Sequence, residues 1–235
     1  MGYMVNRGIW EVVPVSQCWA ATGKKPLGVR WVDTNKGTEV QPDVRCRLVA
    51  RDFKNKKDND REDLFAATPP AEAERMALSK AATRSRGKDG RMNQRKRMFI
   101  DANKAHLKPR CDQEVFIDFP DEAEQGEGMC GRLVFWLYGC RPAAQAWESF
   151  YAEKLEGVGF LRGDACGVVF YEPTRDITVV CHGDDFTCVG EDEDLQWLAE
   201  EMKKWFEIKV RAVLGPDARD DKEVVILGRV VRWKE

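Results

Sequence analysis

Cys181-His182-Gly183-Asp184-Asp185-Phe186 sets two adjacent carboxylates between two apolar runs, Ile177 to Cys181 and Phe186 to Val189. Short apolar runs flanking such a polar insert predict two buried strands joined as a β-hairpin. Adjacent acids repel, and in a regular strand they point to opposite faces. A glycine before them lets a tight turn redirect them. Taken alone, the trio is most simply read as turn chemistry, because Asp and Gly favour hairpin tips.

A third acid changes that reading. Asp101 ends the apolar strand Met98-Phe99-Ile100, where a core strand would deliver one side chain to a site. Carboxylates on neighbouring strands suit two divalent cations held ~3.5–4 Å apart. One ion would lower the pKa of a primer 3′-hydroxyl, and the other would neutralise a triphosphate and its leaving pyrophosphate. Mg²⁺ is a hard cation that prefers oxygen ligands, so carboxylates fit it.

Outward from these acids the chain predicts a mixture of helices and strands. Strands are expected over Ile9 to Val15, with Pro14 marking an edge position, over Gly28 to Asp33, and over Val44 to Arg51. Arg45, Arg47 and Arg51 alternate on the third of these, giving it a basic face. Thr68-Pro69-Pro70 opens an alanine-rich helix to about Thr83. Arg84 to Arg97 holds seven basic residues and reads as an exposed loop after the polar stretch 54–61. Val115 to Ile117, Arg132 to Leu137, Gly167 to Tyr171 and Ile208 to Val213 read as further strands. Ala143 to Leu155 and the segment after Glu191 read as amphipathic helices. Val224 to Trp233, containing Leu227-Gly228, reads as a last strand.

The chain has 235 residues, 43% hydrophobic and 33% charged, enough for a sizeable core. No apolar run approaches the ~18 residues of a membrane span, and the N-terminus lacks a signal-peptide order. An intracellular protein, cytoplasmic or nuclear, is expected, with no membrane partner. Eight scattered cysteines without a Cys-x-x-Cys pair predict reduced, mostly buried thiols rather than a zinc site. The net charge of −2 hides a segregation. Residues 1–110 carry 24 Lys/Arg against 13 Asp/Glu, and residues 111–235 carry 14 against 27. One part suits a polyanion and the other is rich in carboxylates.

In order along the chain stand Ile9-Trp10-Glu11-Val12-Val13-Pro14, Arg30-Trp31-Val32 and Arg45-Cys46-Arg47-Leu48-Val49-Ala50-Arg51-Asp52-Phe53. Then come Ile100-Asp101-Ala102-Asn103-Lys104-Ala105-His106-Leu107, Glu114-Val115-Phe116 to Phe119-Pro120, Leu137-Tyr138-Gly139-Cys140-Arg141 with Trp147, the aspartate pair, and Ile226-Leu227-Gly228. This ordered set resembles the reverse transcriptase domain of copia-type retrotransposons, an RNA-dependent DNA polymerase of a Pol polyprotein.

The resemblance implies an α+β right-hand polymerase fold of fingers and palm, with an antiparallel palm sheet packed on helices. It implies a fingers-like subdomain with a basic loop over 1–95. A palm over 96–235 would end near the primer grip, with thumb and RNase H absent. Asp101, Asp184 and Asp185 would be the catalytic residues and would hold two Mg²⁺, with Mn²⁺ as the substitute ion. Lys36, Arg45, Arg47, Ala102 and His106 would contact substrate, and Leu227 and Gly228 would grip the primer. The partners implied are an RNA or DNA template-primer and deoxynucleoside triphosphates. RNase H and integrase domains of the same polyprotein are expected elsewhere.

The chain departs from the family at His106, where a bulky aromatic normally excludes the ribose 2′-hydroxyl. It departs again at His182 in place of tyrosine and at Pro142 in place of glutamine. Three readings stand: an active divergent enzyme, an inactive relic that binds nucleic acid, or another palm-type enzyme. A cyclase with a Gly-Gly-Asp-Glu-Phe hairpin is an example of the third, although it has no place for the motifs from Trp10 to Phe53.

Overall fold

The computed structural model describes residues 2–53, 64, 66–86 and 92–234. The polar stretch 54–61 and residues 87–91 of the basic run lie outside the described residues. Helix α1 (Gly2–Arg7) leads to β1 (Trp10–Pro14), α2 (Val15–Thr22), β2 (Val29–Asn35) and β3 (Val44–Ala50). Next come α3 (Ala71–Ala82), the short strands β4 (Arg84–Arg86) and β5 (Met92–Gln94), and β6 (Lys96–Asn103). The middle of the chain forms β7 (Phe116–Ile117), β8 (Met129–Leu133) and α4 (Ala143–Glu156). The remainder forms β9 (Leu161–Arg162), β10 (Val169–Glu172), β11 (Ile177–His182), β12 (Asp185–Gly190) and α5 (Asp192–Trp205). It closes with β13 (Glu207–Leu214), β14 (Glu223–Ile226) and β15 (Arg229–Arg232). Among the described residues each ladder between these strands is antiparallel, and the class is the expected mixture of helix and sheet. No helix among the described residues is long and apolar enough to cross a membrane. All eight cysteines are free and five are buried.

The chain forms two compact units, Met1–Phe65 with His106–Trp147, and Ala66–Ala105 with Glu148–Glu235. In the first, β1 is the edge strand of the sheet β1-β8-β7 and ends at Pro14, which has no N–H to give a ladder. Its core gathers Ile9, Leu48, Ile117, Leu133, Trp136 and Leu137. The strand expected at Arg132 to Leu137 lies instead at Met129–Leu133. The apolar run continues to Leu137 because Trp136 and Leu137 fill the core, while the amides of Val134 and Phe135 both turn to the Ile9 carbonyl.

The Leu137-Tyr138-Gly139 segment meets β3 backbone to backbone, with the Ala50 N–H donating to the Tyr138 carbonyl at 2.7 Å. Gly139 has φ +83°, and a Cβ there would lie 2.2 Å from the Ala50 oxygen and 2.5 Å from a Val49 methyl. Neither atom belongs to the far end of a flexible side chain. Gly139→Ala is therefore expected to destabilise the protein by roughly 2–4 kcal/mol. A urea melt with an unchanged midpoint would refute that contact.

In the second unit a six-stranded sheet runs in the order β13-β6-β12-β11-β10-β9. One face is covered by α3, whose Ala73, Ala77 and Ala81 pack on Val180 and Val189. The other face carries Phe186 against Tyr151 of α4 and Phe206 after α5. Alanines at the i, i+4, i+8 positions let the α3 backbone approach the sheet closely.

Two expectations are corrected in this unit. Lys96 and Arg97 are not exposed loop residues; they open β6 and are buried. Lys96 is caged by Asp192, Asp217 and Asp220 at 3.2, 2.6 and 2.7 Å, and the Arg97 guanidinium donates to the Leu78 carbonyl. The run Val224 to Trp233 is also not one strand. Leu227 and Gly228, with φ +49° and +72°, form the two-residue turn between β14 and β15. Two positive φ values in succession are the signature of a type I′ hairpin turn.

Candidate active site

The site is built in the second unit by β11, β12, β6 and β13. All residues of β11 and β12 are buried except His182 and Asp185, so burial drives the hairpin together and leaves its polar tip outside. Gly183 is the first of two turn residues and has φ +64°, the value a type II′ hairpin demands there. The Asp184 carbonyl accepts the Ala102 N–H at 2.8 Å, which ties the tip to β6.

Register then decides which side chains meet. His182 pairs with Asp185, Asp185 with Asp101, and Asp101 with Lys209. Directly paired residues share a face, with Cβ atoms about 4.5–5.5 Å apart. Asp101 and Asp185 therefore stand side by side although they are distant in sequence. Asp184 is held beside them in the turn. Burial and then the charge of Asp184 hold the Asp185 carboxyl above its usual range. Arg211 offsets part of this, and the charge of Asp101 adds to it. The three expected acids are electrostatically one group.

Two charged residues at the site had no signal in the sequence. Glu74, on α3, accepts the Thr187 hydroxyl at 3.4 Å, and burial raises its carboxyl above the ordinary value. The Arg211 Nη1 donates to Asp185 Oδ1 at 3.0 Å. The ladder between β13 and β6 slips between Val210 and Ala212, making Arg211 the extra residue of a β-bulge. A cavity of about 250 Å³ opens beside the hairpin, with Glu74, Leu78, Phe99, His182 and Leu227 in its wall. The β14–β15 turn and His182, the residue before Gly183, thus line one cavity. Gly228 itself is surrounded by open space, so its positive φ and not a close approach requires glycine.

Hard carboxylate oxygens that crowd one another's charge fit a divalent cation in donor type and in electrostatics. Among the described residues, however, no three His, Cys, Asp or Glu side chains are drawn together as a ready cage.

Of the expected substrate residues, Lys36, Arg45, Arg47 and His106 lie in the first unit. His106 and Arg47 meet on one ring: the His106 and Tyr138 centroids are 5.0 Å apart, and the Arg47 guanidinium lies 5.8 Å from the Tyr138 centroid. Arg45 faces Asp43 at 3.8 Å and is exposed. Lys36 closes the β2–β3 turn through its backbone N–H to the Asp43 carbonyl at 2.8 Å. Ala102, in the second unit, is buried and contributes the amide that holds Asp184.

A family model described as reverse transcriptase (RNA-dependent DNA polymerase) matches residues 9–216. The chain is similar to the retrovirus-related Pol polyprotein from transposon TNT 1-94 of Nicotiana tabacum, 26% identical over 202 residues. That match covers 83% of this chain and 14% of the tobacco polyprotein's length. Among solved structures, a foamy viral protease-reverse transcriptase in complex with double-stranded DNA aligns with TM-score 0.45 and 10% identity. The alignment covers 97% of this chain and 32% of that one.

Proposed function

This chain belongs to the reverse transcriptase (RNA-dependent DNA polymerase) family of retrotransposon Pol polyproteins, and we propose that it extends a primer 3′ end with deoxynucleotides on an RNA or DNA template. The observation that carries the proposal is the Asp185–Asp101 register pair beneath a turn that holds Asp184.

In this reading Asp101, Asp184 and Asp185 hold two Mg²⁺, or Mn²⁺ in substitution. Bound there, the ions would lower the pKa of the primer hydroxyl and neutralise the triphosphate. The residues' own contribution is positional. The Ala102 amide fixes the turn, and the ladder sets the distance between the two paired acids. Residues 1–95 act as fingers and 96–235 as palm. Lys36, Arg45 and Arg47 take phosphate oxygens, for which a guanidinium fork is suited. Ala102 and His106 border the incoming nucleotide, and Leu227-Gly228 contacts the primer. RNase H and integrase activities come from other domains of the polyprotein.

The test is incorporation of labelled deoxynucleotides on a primed RNA template with Mg²⁺ or Mn²⁺. Template-dependent extension is the expected result. Salt-sensitive binding of the template-primer without incorporation by either ion would instead mark the chain as a relic.

A further inference from the structure

The bulge in β13 places a cation on the acidic row. In a regular ladder Arg211 would stand opposite Phe99, inside the apolar cluster of Phe99, Ala212, Leu214 and Ile226. The extra residue puts the small Ala212 opposite Phe99 instead, and it releases Arg211 from the ladder. The guanidinium then reaches one strand beyond β6 to Asp185, at 3.0 Å. Lys209, two residues earlier, is the ladder partner of Asp101. β13 therefore lays two basic residues along the two paired acids. The Arg211 side chain is 38% exposed and that of Asp185 is 21% exposed, so the guanidinium has an open path away from the carboxylate.

We propose that Arg211 is a tethered counter-ion of the carboxylate site, which balances its charge in the metal-free protein and competes with an incoming divalent cation for Asp185. The inference rests on the reading of Asp101, Asp184 and Asp185 as metal ligands. A divalent cation bound to Asp185 at ~2.0–2.1 Å would stand close to the guanidinium that holds Oδ1, and the two positive charges would repel. The ion pair therefore weakens metal binding while it is formed, and the apparent affinity rises with the fraction of molecules in which Arg211 has left the carboxylate. A guanidinium that has left the carboxylate finds good partners in phosphate oxygens, which are acceptors of matching geometry. Part of the repulsion among the metal-free carboxylates is thus offset, without a permanent block on the site.

The experiment is a Mn²⁺ titration followed by electron paramagnetic resonance of the free ion, with no nucleic acid or triphosphate present. Arg211→Gln should bind Mn²⁺ about tenfold more tightly than the wild type, as expected when a charge-assisted hydrogen bond no longer competes. Arg211→Lys, which keeps the charge but loses the fork, should fall between them. Circular dichroism establishes that each variant is folded, and Arg211→Lys decides alone if Arg211→Gln is not. Unchanged or weaker Mn²⁺ binding in the folded variants overturns the counter-ion role. Asp185→Asn separates this from the underlying reading. If that variant binds Mn²⁺ as the wild type does, the metal assignment itself fails. If it loses Mn²⁺ while Arg211→Gln matches the wild type, only the role of Arg211 falls.

Discussion

Asp185→Asn is expected to lower primer extension by roughly a thousandfold or more while leaving thermal stability level or slightly raised. A metal-bound oxygen supplies several kcal/mol of transition-state stabilisation, and each 1.36 kcal/mol is a factor of ten in rate. The stability arm follows from the crowding of acids. Burial, Asp184 and Asp101 together outweigh Arg211 and raise the Asp185 carboxyl above its unfolded value. The folded state therefore holds the Asp185 proton more tightly than the unfolded state. Its ionisation costs stability as the pH rises through the folded value, and above that value the cost is fully present. An uncharged amide of the same shape removes it. Extension assays and melting curves on the same preparation give both readouts. Lost activity with a collapsed melting temperature would make Asp185 a folding residue and sink the catalytic assignment. Retained activity would sink it more directly.

Lys96 is the second site at which a large effect is expected, here on stability. Its side chain is only 5% exposed and sits among Asp192 at the start of α5 and Asp217 and Asp220 in the loop after β13. Burial pulls the ammonium down, but hydrogen bonds to the three aspartates outweigh it and hold Lys96 above the usual lysine value. Asp217 is held below the usual carboxylate range by the same ammonium. Removing one partner of a buried pair costs about 3–5 kcal/mol, because the remaining charges are left uncompensated. Asp217 is half exposed, so Lys96→Met should lie near the lower end, about 3 kcal/mol. Adding Asp220→Asn to Lys96→Met should recover part of that loss, which a double-mutant cycle in urea would show. The sign with pH is set by Asp217. A depressed carboxylate stabilises above the ordinary aspartate range, and that stabilisation disappears as pH falls through the folded value. Wild type should therefore lose more stability on acidification than Lys96→Met, and parallel acid titrations would contradict the cage.

The same cage explains why part of the fold was hard to see in the sequence. The strand expected at Met98 begins at Lys96, because a Lys-Arg pair reads as solvent-facing until the aspartates at 192–220 and the Leu78 carbonyl meet it. α2 gave no signal, since it starts directly after Pro14 with no side-chain cap and β-branched Val15 in its first turn. Leu227-Gly228 reads as strand in the sequence because Leu rarely occupies the positive φ that the turn imposes. By contrast, β1, β2, β3, α3, α4, β11, β12 and α5 follow from apolar periodicity and proline or acidic boundaries. The acids were legible as a group because their type is unusual on buried strands. Arg211 was not, because its place depends on one slipped ladder residue that no local pattern announces.

β6 is buried from Lys96 to Ile100, and both of its neighbours in the six-stranded sheet are encoded far downstream. On a growing chain it has nothing to pair with until residues 185–190 and then 207–214 have been synthesised. Closing such long loops before any pairing energy returns makes folding slow and leaves Met98, Phe99 and Ile100 exposed to other chains meanwhile. A chain ending before β13 would leave one edge of β6 permanently bare, an open template for strand addition. The ladder that brings Asp101 to Asp185 thus also sets the order of events during synthesis: the acids can meet only after most of the chain has been made.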